Sequence, residues 1–204
     1  MANNFYKLIS ILFHPILMTF ATIKLTIFIM PVIKLTLEPF MHFINSLIVL
    51  TSIVFPLLII LFFLLTKRIK SIEMQYHKDR SIPLLLCALS LSLGTFLVGQ
   101  ILLYAPIIKA ELLCAIILLV FASIITKYWK ISLHMIGIGG LVGAITGIHL
   151  CYGGLTQVIV PLILTAGIIG VARVMLKAHN NIQIYAGFSL AFLVELVGVL
   201  IVLK

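Results

Sequence analysis

Acidic residues are scarce in this 204-residue sequence. Five Asp and Glu stand against fourteen Lys and Arg, and Asp79 is the single aspartate. So few carboxylates exclude catalysis by a carboxylate pair and a calcium or magnesium site built from several carboxylates. Cysteine is also rare, and Cys87, Cys114 and Cys151 are too far apart for a C-x-x-C motif. Disulfides, zinc sites and iron–sulfur clusters are therefore not expected.

Charge of either sign is low. Charged residues make up 9% of the sequence and hydrophobic residues 63%, and the mean hydropathy is +1.33. A soluble domain has about 25% charged residues, so this chain has too few to cover a surface that faces water. We predict an integral membrane protein whose partners are membrane lipids. The net charge of +9 indicates anchoring at lipid headgroups and not nucleic-acid binding, because the basic residues are dispersed between apolar runs.

The sequence consists mainly of long apolar runs. Seven of them approach the roughly 20 residues that a helical span needs, at 9–30, 44–66, 82–103, 109–126, 133–150, 156–172 and 182–203. These runs are continuous rather than alternating, which predicts helices. The expected fold is an all-α membrane bundle of six or seven spans in a single domain over 1–204. Pro15 and Lys24 interrupt the first run, which we interpret as retained rather than as a cleaved signal peptide.

Three loops carry more polar residues than membrane insertion requires. They lie at 77–83, 130–134 and 173–183, and the alternation of the spans predicts that all three share one face. Arg80 and Arg173 offer forked donors that suit phosphate oxygens. Ser132 and His134 open a helix, where free backbone N–H groups favour an anion. The pattern indicates a phosphate site in which His134 and His179 divide attack on phosphorus and protonation of the leaving group.

Other polar residues have simpler interpretations. Asn181 is the expected N-cap of the last helix, just after His179. A second group is interpreted as capping or interfacial histidines. These are His14, His42, His77 and His149. Glu195 falls in mid-span, where a carboxylate costs about 2.5–3.5 kcal/mol. We expect it to face the interior, either protonated and hydrogen-bonded or serving as a proton relay or substrate contact.

Glycines at a four-residue spacing predict a close helix contact. Gly139, Gly143 and Gly147 form a G-x-x-x-G-x-x-x-G stripe, which allows another helix backbone to approach closely. We expect the stripe to pack inside the bundle, with Gly167 and Gly170 as candidate partners. A homodimer through the same face is the alternative.

At the polar loops the sequence resembles the superfamily of type 2 phosphatidic acid phosphatases and vanadium haloperoxidases. The family pattern is K-x6-R-P, then P-S-G-H, then S-R-x5-H-x3-D. The similar segments are Arg80 with Pro83, then Ser132-Leu133-His134, then Arg173-x5-His179-x3-Gln183. The third motif is the most specific, because its order, its spacing and the trailing Gly187 all agree. The resemblance covers about residues 67–203 and is to a small bacterial branch of the superfamily.

The resemblance implies a metal-independent enzyme without a cofactor that hydrolyses a lipid phosphate or a polyprenyl diphosphate. His179 would be the nucleophile that forms a phosphohistidine, and His134 would be the general acid. The phosphoryl oxygens would be bound by basic and hydroxyl side chains, namely Lys78, Arg80, Lys130, Ser132 and Arg173. In a bacterium the chain would lie in the inner membrane. The loop charges predict a site on the cytoplasmic side, whereas many membrane members of the superfamily act on the outer face, so the side stays open.

The sequence departs from the family pattern beside the nucleophile. Gln183 replaces the family aspartate; it can bond a ring N–H but offers no countercharge to an imidazolium. Glu73 replaces the lysine of the first motif, so that Lys78 or Lys130 would supply its charge. Three hypotheses follow: an active lipid phosphatase, a phosphatase-like protein that binds anionic headgroups without hydrolysis, and a small transporter.

Overall fold

The computed structural model describes residues 2–71, 74 and 76–204, so Glu73 lies outside the described residues. Along this part of the chain eight helices follow one another without any strand. They are α1 (Ala2–Leu12), α2 (Pro15–Ile29), α3 (Pro31–Leu65), α4 (Ser81–Leu97), α5 (Pro106–Ile125), α6 (Leu133–Tyr152), α7 (Thr156–Met175) and α8 (Asn181–Leu203). The predicted all-α membrane fold is confirmed.

Six helices within the described ranges are long and apolar enough to cross a membrane. They are α3, α4 together with the 3-10 turn before it, α5, α6, α7 and α8. Helices α1 and α2 would add a seventh span, but they are bent by 53° at the break between Leu12 and Pro15. The break falls at a proline, which cannot donate a helical hydrogen bond. The chain is a multi-pass membrane protein with six or seven spans, as the sequence predicted.

Helix α3 begins earlier than the apolar run at 44–66 suggests. Its first turns carry Lys34 and Glu38, and both side chains are exposed. These charges lower the local hydropathy, so the start of the helix was not recognised as part of an apolar run. A π-helical segment, Leu50–Val54, precedes Pro56. Because proline has no N–H, the π-helical partner of the Thr51 carbonyl is missing. The Ser90 hydroxyl donates to that carbonyl oxygen at 2.9 Å instead.

The helices form two compact units, and the division falls within α2. Unit 1 consists of Met1–Thr22 and Lys130–Lys204, and unit 2 consists of Ile23–Trp129. In unit 2, α4 packs on α5 and on the last part of α3. In unit 1, α8 packs along α6, while α7 contacts both α6 and α1.

The apolar core of unit 1 joins the helix ends that carry the second and third sequence motifs. It is formed by Met135, Ile138, Val142, Ala166, Ile169 and Ile184, with Ile9 and Phe13 of α1 packed against it. Met135 follows His134 and Ile184 follows Gln183. Packing of these neighbours holds the backbone in place at the starts of α6 and α8.

The glycine stripe of α6 packs against α8. A Cβ at Gly139 would stand 2.9 Å from the Phe188 Cα, and one at Gly143 would stand 2.9 Å from the Phe192 Cα. The stripe therefore packs inside the bundle, as expected. The expected partners on α7, Gly167 and Gly170, were wrong, because the atoms nearest to a Cβ built at each glycine of the stripe belong to α8. A homodimer through the stripe would have to displace an intramolecular helix.

Candidate functional site

The candidate site lies at one end of unit 1, where α7 ends and where α6 and α8 begin. Arg173 is in the last turn of α7, and its carbonyl oxygen accepts the N–H groups of Ala178 at 3.1 Å and His179 at 3.3 Å. Lys177 has a left-handed backbone with φ of +52°, as is usual where a helix is closed in this way. The turn holds Arg173 and His179 in one hydrogen-bonded unit. The two side chains are only 6% and 8% exposed.

The N-cap of α8 is Asn180, and the prediction of Asn181 was wrong by one residue. Asn180 has an extended backbone, and its side chain accepts the Gln183 N–H at 3.0 Å. In return, the Gln183 Oε1 accepts the Asn180 N–H at 3.3 Å. Such a reciprocal pair satisfies two N–H groups that a helix start leaves open.

The same amide oxygen orients His179. The His179 Nδ1 lies 3.0 Å from the Gln183 Oε1. Because this atom also accepts a backbone N–H, it is an oxygen, and the His179 Nδ1 must be the donor. The neutral ring then carries its lone pair on Nε2. Gln183 thus orients the ring through an acceptor at Nδ1 but brings no negative charge to it.

Ser132 is buried between the starts of α6 and α8. Its N–H donates to the Gln183 carbonyl oxygen at 3.4 Å. A Cβ at Gly187 would stand 2.8 Å from the Ser132 carbonyl oxygen, which explains why glycine follows the third motif. The side chain is 0% exposed and does not cap α6. Among the described residues, its Oγ has no hydrogen-bond partner.

His134 and Arg173 meet at Ser10 of α1, a residue that the sequence did not single out. The Arg173 Nη1 donates to the Ser10 Oγ at 3.1 Å. The His134 Nε2 lies 3.0 Å from the Ser10 carbonyl oxygen, so Nε2 carries the proton and donates it. Ser10 therefore links the second and third motifs. One serine within an apolar run gives no signal of this role.

His14, interpreted from the sequence as a capping or interfacial histidine, also contacts a residue of the candidate site. Its ring contacts the His134 ring edge-to-face, with centroids 5.7 Å apart. Its Nδ1 accepts the Ile16 N–H at 3.4 Å at the start of α2, which confirms a capping role. His149 likewise accepts the Leu155 N–H at 3.1 Å.

Three other residues were predicted to bind phosphate, namely Lys78, Arg80 and Lys130. Lys130 is half-buried and belongs to unit 1. Lys78 and Arg80 belong to unit 2, in the 3-10 turn His77–Arg80. Lys78 is exposed, whereas Arg80 is buried and its Nε donates to the Met74 carbonyl oxygen at 2.8 Å. Phosphate binding by Lys78 and Arg80 stays a prediction.

His77, in the same 3-10 turn as Arg80, donates from Nδ1 to the Thr126 carbonyl oxygen at 2.6 Å. This is a capping contact at the end of α5.

The electrostatics of unit 1 favour an anion. The Arg173 guanidinium, together with the first turns of α6 and α8, places positive charge and free N–H groups at one end of the unit. Glu195 is the single acidic residue in the sequence of this unit. It is buried in α8, as its mid-span position predicted.

Glu111 in unit 2 is a buried acidic residue that was not identified from the sequence. It is buried in α5, and its Oε1 accepts a hydrogen bond of 2.5 Å from the Thr26 hydroxyl. Its Oε2 finds no hydrogen-bond partner within the described part of the chain. The signal that singled out Glu195, an acidic residue in an apolar run, also applies to Glu111.

Comparison of the chain with protein-family models, curated proteins and solved structures found no match. In the described ranges, no group of three His, Cys, Asp or Glu side chains is placed to hold a metal ion. The relationship to the phosphatase superfamily thus depends on the sequence motifs and stays a prediction.

Proposed function

We propose that the protein is a membrane-embedded, metal-independent phosphatase that hydrolyses a lipid phosphate or a polyprenyl diphosphate through His179. The observation that carries the proposal is the hydrogen bond from the His179 Nδ1 to the Gln183 Oε1 at 3.0 Å. It leaves the lone pair of the neutral ring on Nε2, the nitrogen needed for attack. Arg173 supports the proposal as a buried guanidinium in the same turn.

The reaction would proceed in two displacements. The lone pair of the His179 Nε2 attacks phosphorus while the P–O bond to the lipid breaks. The electron pair of that bond leaves on the lipid oxygen, which takes a proton from the imidazolium of His134 and leaves that ring neutral. Water then attacks the phosphohistidine and returns a proton to His134, which releases phosphate and restores both rings. Arg173 stabilises the charge on the phosphoryl oxygens.

Unit 1 would supply the reacting groups, and the apolar surface of the bundle would hold the lipid chain. In a bacterial cell such a helical bundle would lie in the inner membrane, since the spans of the outer membrane are β-barrels.

Phosphate release tests this proposal directly. The protein purified in detergent is incubated with a panel of lipid monophosphates and polyprenyl diphosphates in the presence of a chelator. We expect release to continue under chelation and to fall to background in His179→Ala. The matched control is His42→Ala, because His42 is an exposed histidine of unit 2. Release that persists in His179→Ala would rule out the phosphohistidine.

A second function is favoured by the neutral Gln183. Without a countercharge, the imidazolium that forms during turnover is poorly stabilised, and the site would then bind anionic headgroups without hydrolysing them. Binding of a lipid phosphate by the wild-type protein, with no product after long incubation, would support this second function. Loss of that binding in Arg173→Ala would place the ligand in the candidate site.

A further inference from the structure

Two donors of the candidate site bind one residue of α1. The Arg173 Nη1 and the His134 Nε2 donate to the Oγ and the carbonyl oxygen of Ser10, at 3.1 Å and 3.0 Å. Ser10 is only 8% exposed. Two oxygen atoms of a single residue therefore accept the hydrogen bonds that two oxygens of a bound phosphoryl group would accept from the same donors.

These acceptors are weaker than the anion that the site suits. A hydroxyl and a carbonyl are neutral, and a hydrogen bond from a guanidinium to a charged oxygen is roughly twice as strong as a neutral one. Leaving the Arg173 donor unpaired would be costly, because it is buried. Ser10 thus gives Arg173 and His134 a hydrogen-bond acceptor each. A phosphate that replaces Ser10 would form stronger hydrogen bonds with the same two donors.

Helix α1 has a second environment available to it. Phe5, Leu8, Ile11 and Leu12 are each more than half exposed and recur at helical spacing, with the exposed Lys7 between them. An amphipathic helix with these residues binds in the interface between lipid headgroups and acyl chains. The 53° bend before Pro15 separates α1 from α2, so that α1 can turn without unfolding α2.

We propose that α1 is an autoinhibitory plug whose Ser10 occupies the oxyanion positions of the candidate site until a phosphorylated lipid displaces it. Withdrawal of α1 frees the Arg173 and His134 donors together and moves the helix into the interface. This inference rests on the proposed function, because it assumes that the site binds a phosphoryl group.

Equilibrium binding of inorganic phosphate to the full chain in detergent tests the plug. Ser10→Ala removes the hydroxyl that competes for Arg173, and we expect its dissociation constant for phosphate to fall about tenfold relative to the wild type. Thr165→Ala is the matched control, because the Thr165 hydroxyl is exposed and bonds to the carbonyl of Pro161 in its own helix. An equal dissociation constant in Ser10→Ala and wild type would overturn the plug.

A second measurement follows the displacement of α1 itself. Ser10→Cys is labelled with a hydrophilic maleimide, and labelling of the wild-type cysteines is subtracted. We expect slow labelling without phosphate and faster labelling at saturating phosphate. A rate that phosphate does not change would also overturn the plug. Phosphate binding that is lost in Arg173→Ala yet unaffected by Ser10→Ala would refute the plug alone, whereas no binding by wild type or Ser10→Ala would refute the proposed site as well.

Discussion

Gln183 is the residue on which the proposed chemistry depends most. Its amide oxygen accepts from the Asn180 N–H and from the His179 Nδ1, so the orientation of the amide and the tautomer of the ring are set together. An aspartate-to-amide change is damaging where it reverses the tautomer of the histidine. Here the amide holds the tautomer that the proposed attack would need, and the feature that this mechanism lacks is a negative charge beside the ring.

Gln183→Glu should therefore increase phosphate release. The substitution keeps the acceptor position and adds a charge that stabilises the His179 imidazolium. A charge-assisted hydrogen bond gains about 1–2 kcal/mol over a neutral one, which corresponds to roughly a five- to thirtyfold rise in kcat. The measurement is steady-state turnover of Gln183→Glu against wild type on the same lipid phosphate.

Gln157→Glu is the control for this experiment. Gln157 is exposed in the first turn of α7, so the substitution adds the same charge to unit 1 without reaching His179. Equal turnover in Gln183→Glu and wild type would mean that the countercharge does not limit the reaction.

Part of the candidate site could be predicted from the sequence. Arg173, His179 and Gln183 were recognisable because they lie within one turn and one helix start, where spacing in the sequence fixes distance in space. Ser10 was not recognisable, because its partner Arg173 is 163 positions away. Tertiary packing of α1 alone creates that contact.

At the scale of the helix, the contact between α6 and α8 determines where the site residues stand. Gly143→Ala would place a Cβ 2.9 Å from the Phe192 Cα, against backbone that cannot rotate away. We expect α8 to shift and the free energy of unfolding to fall by about 1–3 kcal/mol, the usual result of overpacking. Thermal unfolding in detergent measures the change.

Gly167→Ala is the matched control on α7. A Cβ there meets nothing within 4 Å, and alanine is the better helix former by about 1 kcal/mol. Gly167→Ala should therefore be as stable as the wild type or more so. If Gly143→Ala were as stable as the wild type, α6 and α8 would not pack as closely at Gly143 as described above.

The helices themselves were largely predictable from continuous apolar runs, and their contacts were not. The stripe of Gly139, Gly143 and Gly147 predicted a close helix neighbour, but a glycine spacing carries no information about which helix approaches. The partner turned out to be α8, where Phe188 and Phe192 supply backbone at the right repeat. The bend between α1 and α2 was indicated by Pro15, although its angle was not.

At the scale of the molecule, the surface is as apolar as the composition requires. Phe28, Val32 and Phe96 are at least three-quarters exposed, and six helices in the described ranges match the thickness of a bilayer. We expect the protein to remain in the membrane pellet after washing with alkaline carbonate and to require detergent for release. Recovery in the carbonate supernatant would contradict multiple spans.

Selection can retain Gln183 for two separate reasons. One is the start of α8, where the amide closes a reciprocal cap with Asn180, and the other is the ring of His179. A lineage that had lost turnover altogether would still keep this side chain, because its loss would also fray the helix. Survival of the residue among relatives would therefore report on folding as much as on chemistry, and His179, which forms neither of the two hydrogen bonds of the cap, would be the first of the pair to drift.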